Sequence, residues 1–173
     1  TGGVALAGGF ARSVGAAAAE DGWPPLPPVK IHVVYVGLGG AWPKPEFDAP
    51  AEVARFAAYL QGVQERLGDV VFTGGRLIPN RMAEAEQEAA TVGDADAVLV
   101  IHLSFGNGDP LAAFTKIGLP VAVYSQPFSG HDWMYAPRWR KAGMRILLAP
   151  SSAMSELDRL AALLRVPARM RQT

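Results

Sequence analysis

The chain has 173 residues, 50% of them hydrophobic and 18% charged, with sixteen basic residues balanced by sixteen acidic ones. That length suits one folded domain, the apolar share excludes a disordered chain, and zero net charge argues against a nucleic-acid module, whose affinity rests on excess Lys and Arg. No cysteine is present, so disulfide scaffolds, thiolate metal sites and thiol nucleophiles are excluded as well.

Thr1 to Ala19 is small and apolar, broken by glycine pairs and by Arg12. It falls short of the roughly 20 apolar residues of a membrane span. Ala17 and Ala19 before Glu20 and Asp21 fit an A-x-A cleavage pattern. Two readings stay open: the remnant of an export signal, for which the twin-arginine type is a good match, or an Ala/Gly leader. The first sends the chain to the periplasm and the second leaves it in the cytoplasm. Pro24, Pro25, Pro27 and Pro28 make a stiff extended linker. Residues 1–28 are therefore read as leader and linker, and residues 29–173 as the folded domain.

Ile31 to Val36 is a β-branched run before Gly37, Gly39 and Gly40, and reads as a strand buried on both faces. Asp48 to Leu67 carries Val53, Phe56, Leu60, Val63 and Leu67 at helical spacing, with Pro50 in the first turn. Asp69 to Thr73 is a second strand, ended by Gly74-Gly75, and Arg81 to Thr91 a helix whose Glu84, Glu86 and Glu88 form a solvated face. Ala97 to Leu103 (AVLVIHL) is the strongest strand. Leu111 to Ile117 is helical, with Asp109 as cap and Pro110 at the first position. Pro120 to Ser125 and Met144 to Ala149 are strands, separated by a helix from Trp133 to Ala142 that carries Trp139 and Arg140 on its surface. A last helix, capped by Ser152 or Ser155, runs to Leu164 before Val166-Pro167. Apolar strands alternating with helices predict an α/β fold of flavodoxin-like type. It is a doubly wound, five-stranded parallel sheet of order 2-1-3-4-5 in a three-layer sandwich.

In such a sheet ligands sit outside the carboxyl ends of the strands. The loop GLGGAWPKP after the first strand is not a dinucleotide fingerprint, because Trp42 stands where the last glycine belongs and Pro43 and Pro45 block an immediate helix. No P-loop occurs. Leu38 and Ala41 replace the hydroxyls of a flavodoxin phosphate loop, and Val36-Gly37 lacks the acids of a phospho-receiver. Of the three histidines, His32 reads as a hydrogen-bonded core residue, while His102, near a strand end, is either structural or ligand-facing. His131 and Asp132 are adjacent and poorly spaced to share a metal, and no His-x-x-x-His pair exists. A hydrolase using Ser104 or Ser129 with His131 and Asp132 would lack a G-x-S-x-G elbow. Trp42, Trp133, Tyr135 and Trp139 either pack against a neighbouring domain or subunit, or offer Trp42 or Trp133 as a flat face to a sugar ring.

The loop PFSGHDWMY before the basic RWRK, the stretch SSAMSELDRL and the terminal RVPARMRQT resemble the N-terminal domain of the L-fucose/L-arabinose isomerase superfamily. The resemblance covers Val29 to Thr173, and the leader points to an exported, sugar-isomerase-like member. It implies aldose–ketose interconversion through an enediolate, assisted by a divalent metal, usually manganese, held in later domains that lie outside this chain. The first domain of such proteins supports homo-oligomer contacts and lends residues to the monosaccharide pocket. By position those residues are Trp42, Asn107, Gln126, His131 and Trp133. The resemblance assigns this chain no catalytic residue and no metal ligand, and expects it to be inert alone, with no nucleic-acid partner and no membrane contact after signal removal. Two alternatives remain: an exported sugar-binding module of periplasmic-binding type, and a small self-contained enzyme using His131 with Asp132 or Ser129.

Overall fold

The computed structural model describes residues 25–37, 46–104, 110–127 and 132–172. Five parallel strands form one sheet in the order β2-β1-β3-β4-β5. They are β1 (Val29–Val36), β2 (Val70–Ile78), β3 (Ala97–His102), β4 (Val121–Ser125) and β5 (Ile146–Pro150). The helices α1 (Ala49–Leu67), α2 (Met82–Ala89), α3 (Asp132–Lys141) and α4 (Glu156–Gln172), with a 3-10 helix at Pro110–Ile117, fill the connections. The flavodoxin-like α/β architecture is the one the strand pattern predicts.

Strand alternation divides the core in two. Ile31, Val33, Tyr35, Leu99, Ile101 and Tyr124 meet Phe56, Leu60 and Val63 of α1 and Leu157, Leu160 and Leu164 of α4. The intervening residues Val34, Val36, Val98, Val100 and Val123 face the other way, onto Ala85 of α2, Leu111 and Phe114 of the 3-10 helix, and Trp139 of α3. Trp139 is thus a core residue. The expectation of a surface position overlooked that a basic helix still needs one apolar anchor. Helix α1 starts as its residues dictate: Asp48 Oδ1 accepts from Ala51 N at 3.0 Å, and Pro50 sits in the first turn.

Three elements depart from the sequence pattern. Strand β2 continues through Gly74-Gly75 to Ile78, because Gly75 bulges out of β2 opposite Val33 and Val34 of β1 and pairing resumes at Arg76. The segment after Pro110 winds as a 3-10 helix and not an α-helix. Helix α4 runs through Pro167 to Gln172. Proline at 167 removes the bond to the carbonyl of Leu163, and that residue is 41% exposed, so water can serve the carbonyl. Beyond the proline, Ala168 is buried in the core and Arg165 and Arg169 grip Asp69 at 3.0 and 2.8 Å. Tertiary contacts therefore carry the helix past its breaker.

The strands' carboxyl ends converge where β1 and β3, neighbours in the sheet, send their connections to opposite faces. Gly37 lies at that point: a Cβ there would come within 3.0 Å of Ser104 Oγ and 3.3 Å of Leu103 Cβ. A side chain there would make the Ser104 and Leu103 side chains give way by a few tenths of an ångström.

Candidate functional site at the carboxyl ends of the strands

The last residues of β3 and β4, His102 and Ser125, are register partners. Both continue the strand parity that points to the α2 and α3 side of the sheet. Asp132, the first residue of α3, reaches in between them and is fully buried. Its Oδ2 accepts from Ser125 Oγ at 2.6 Å and from His102 Nδ1 at 2.7 Å. On the far side of the imidazole, Asn80 Nδ2 donates to His102 Nε2 at 2.9 Å. With Nε2 accepting, the histidine proton belongs on Nδ1, aimed at Asp132. The chain Asn80–His102–Asp132–Ser125 joins the segment after β2 to the ends of β3 and β4 and the start of α3. Asp132 Oδ1 is buried with no hydrogen-bond partner among the described residues.

This geometry is not a nucleophilic triad. In a triad the histidine's second nitrogen takes the serine proton. Here Ser125 donates to the aspartate, and that second nitrogen faces Asn80. The network holds groups in place; it does not activate a hydroxyl.

The α1 side of the same sheet end carries a second polar set. Gln126 Nε2 lies 3.5 Å from Glu52 Oε2 in the first turn of α1, and Glu52 also binds Arg55 at 2.6 Å. Arg55 rests over the Phe56 ring at 4.8 Å. Next to buried Asp132, Trp133 turns outward and is 61% exposed, with Met134 exposed beside it. Tyr135 stacks on Trp139 at 6.1 Å between centroids, so it belongs to the packing of α3.

Of the sequence-predicted site residues, Gln126 and Trp133 stand at this end of the sheet. Trp42, Asn107 and His131 lie outside the described residues, as do Asp109 and Ser129. The network residues Asn80, His102, Ser125 and Asp132 were not joined into one site by sequence reasoning. The parity of His102 and Ser125 at two strand ends was the available signal.

His32 is a core residue in a different cluster. Its Nε2 donates to Glu88 Oε1 at 3.1 Å, and Arg76 Nη1 donates to Glu88 Oε2 at 3.3 Å. Glu88 is 2% exposed, which corrects its reading as part of a solvated face: two donors from β1 and β2 offset the burial of its charge. Among the described residues no three His, Asp or Glu side chains gather to hold a metal ion. A shallow groove of about 430 Å³ lies at the opposite, amino end of β4 and β5, among Leu119, Met144, Leu163 and Pro167. Arg145 and Arg171 also line it, so it is mixed in character, and it lies away from the strand ends where ligands of such sheets collect.

In comparisons with known proteins, the chain matches no family model, no curated protein and no solved structure.

Proposed function

We propose that this domain recognises a monosaccharide at the carboxyl ends of its strands, as the substrate-recognition and oligomerisation domain of an exported, sugar-isomerase-like protein. The observation that carries the reading is the pairing of exposed Trp133 with a rigid polar network one residue away. An indole face suits the C–H face of a sugar, and fixed carboxylate, amide and hydroxyl groups suit its hydroxyls. Gln126 supplies a further polar contact from the end of β4. The resemblance in the PFSGHDWMY loop supports a sugar over other polyols. By the same resemblance Trp42, Asn107 and His131 are proposed to contact the sugar.

On this reading the divalent metal and the proton-transfer carboxylates lie outside this chain. The domain binds without turning over, and exposed Met134 beside Trp133 serves contacts between subunits. The test is calorimetric titration with a panel of pentoses, hexoses and deoxy sugars, followed in parallel by tryptophan fluorescence. Weak saturable binding, roughly millimolar, that quenches fluorescence and disappears in Trp133→Ala is expected. Silence across the panel would overturn the assignment.

A further inference from the structure

We infer that Asp132 Oδ1 is a ligand acceptor, taking a hydrogen bond from one hydroxyl of a neutral sugar bound at the ends of β3 and β4. The inference rests on the monosaccharide reading above and names the atom that selects the sugar.

Both internal donors to this carboxylate fall on one oxygen. Ser125 Oγ and His102 Nδ1 lie 2.6 and 2.7 Å from Oδ2, while Oδ1 is buried and without a partner among the described residues. An ionised carboxylate has about four lone-pair positions, so two of them point from Oδ1 with no donor to meet. A charged oxygen left this way in the interior is costly, and such atoms in folded proteins call for an explanation.

The chemistry of the missing partner follows from the surroundings. It must donate, because Oδ1 only accepts. It is not an anion, since the negative charge at the start of α3 is already that of Asp132 and a second would be repelled. A metal ion would require further ligands, and no group of three His, Asp or Glu side chains exists among the described residues. A neutral hydroxyl meets these conditions, and Trp133, the next residue, presents its ring to solvent at the same helix start.

The support behind the carboxylate makes it selective. His102 and Ser125 hold Oδ2 from two paired strand ends, and Asn80 braces the imidazole at 2.9 Å. Oδ1 therefore has a fixed position and direction. A fixed acceptor distinguishes a hydroxyl in the right configuration from its epimer or from a hydrogen, because the mismatched ligand leaves the oxygen unpaired.

The test titrates L-fucose, L-arabinose and their singly deoxygenated analogues into the wild-type chain and into Asp132→Asn. The substitution keeps one oxygen for Ser125 and His102 and places an NH2 group where the lone oxygen stood. Affinity should fall about tenfold or more in the variant, with the far-ultraviolet circular dichroism unchanged. One deoxygenated analogue should lose a similar factor on the wild type and nothing further on the variant. Equal affinity of wild type and variant, with the fluorescence response of Trp133 retained, would overturn the inference and leave sugar binding standing. So would a wild-type series in which no single deoxygenation weakens binding, an outcome readable even if the variant does not fold. If the wild type binds neither sugar, the sugar reading itself fails and this inference falls with it.

Discussion

Two residues illustrate how much rests on single atoms. Gly74 has φ at +76°, and a Cβ there would lie 2.7 Å from His32 Cε1 and 2.8 Å from the Val33 carbonyl. Gly74→Ala therefore meets both a left-handed backbone and a collision with a core imidazole, and should cost about 1–3 kcal/mol in urea unfolding. A variant as stable as the wild type would mean that the bulge does not hold this shape in solution. Asp132 is the second case. Asp132→Ala removes the buried acceptor that Ser125 Oγ and His102 Nδ1 share, an expected loss of about 2–4 kcal/mol by the same measurement. Neither interaction was legible beforehand. His102 was noted near a strand end and Asp132 beside His131, yet only the β3–β4 register shows that His102 and Ser125 share a face. Glu88 was misread for a related reason: an i, i+2, i+4 row of acids on a helix cannot all point one way, and the one facing the sheet found His32 and Arg76.

At the scale of elements, apolar runs and helix starts were readable because their causes are local. Asp48 with Pro50 marks α1, and the β-branched run marks β1. Phe56 of α1 packs edge-on to Tyr124 at 5.6 Å and is fully buried. Phe56→Ala should cost about 3–5 kcal/mol in denaturant unfolding, and a loss below 1 kcal/mol would show that α1 is not docked as described. The extension of α4 past Pro167 was not readable, since it depends on Asp69, distant in sequence, meeting Arg165 and Arg169. Burial alone would raise the pKa of Asp69, but hydrogen bonds from Arg169 and Arg165 outweigh it and hold the carboxyl below its ordinary value. Asp158 behaves alike: burial pushes up, while hydrogen bonds from Tyr59 and Arg66 prevail downward. A folded pKa below the unfolded one means that the stabilisation is complete above the unfolded value, roughly 4. It is lost as pH falls through the folded values. Thermal midpoints should thus stay level from about pH 7 to pH 5 and drop below about pH 4. The drop should be shallower in a chain with both Asp69→Asn and Asp158→Asn. The pairs are partly exposed, so the effect is modest and weakens with salt. An unaltered acid limb would contradict the account of how α4 is fastened.

For the whole molecule, the order of elements and the doubly wound rule sufficed to predict the sheet, because right-handed crossovers leave few arrangements for five apolar strands. Which end of that sheet to propose as the ligand-binding end was also readable in general terms, as ligands collect where connections diverge. The particular groups were not, since Asn80, His102, Ser125 and Asp132 come from four segments brought together only by folding. Two surfaces now compete: the polar carboxyl end with Trp133 and Asp132, and the groove at the amino end of β4 and β5. Amide chemical-shift mapping during addition of L-fucose decides between them and tests the central claim directly. The account predicts shifts concentrated at Asn80, His102, Ser125, Gln126, Asp132 and Trp133. Shifts confined to Leu119, Met144, Ile146 and Leu163, or none anywhere, would contradict it.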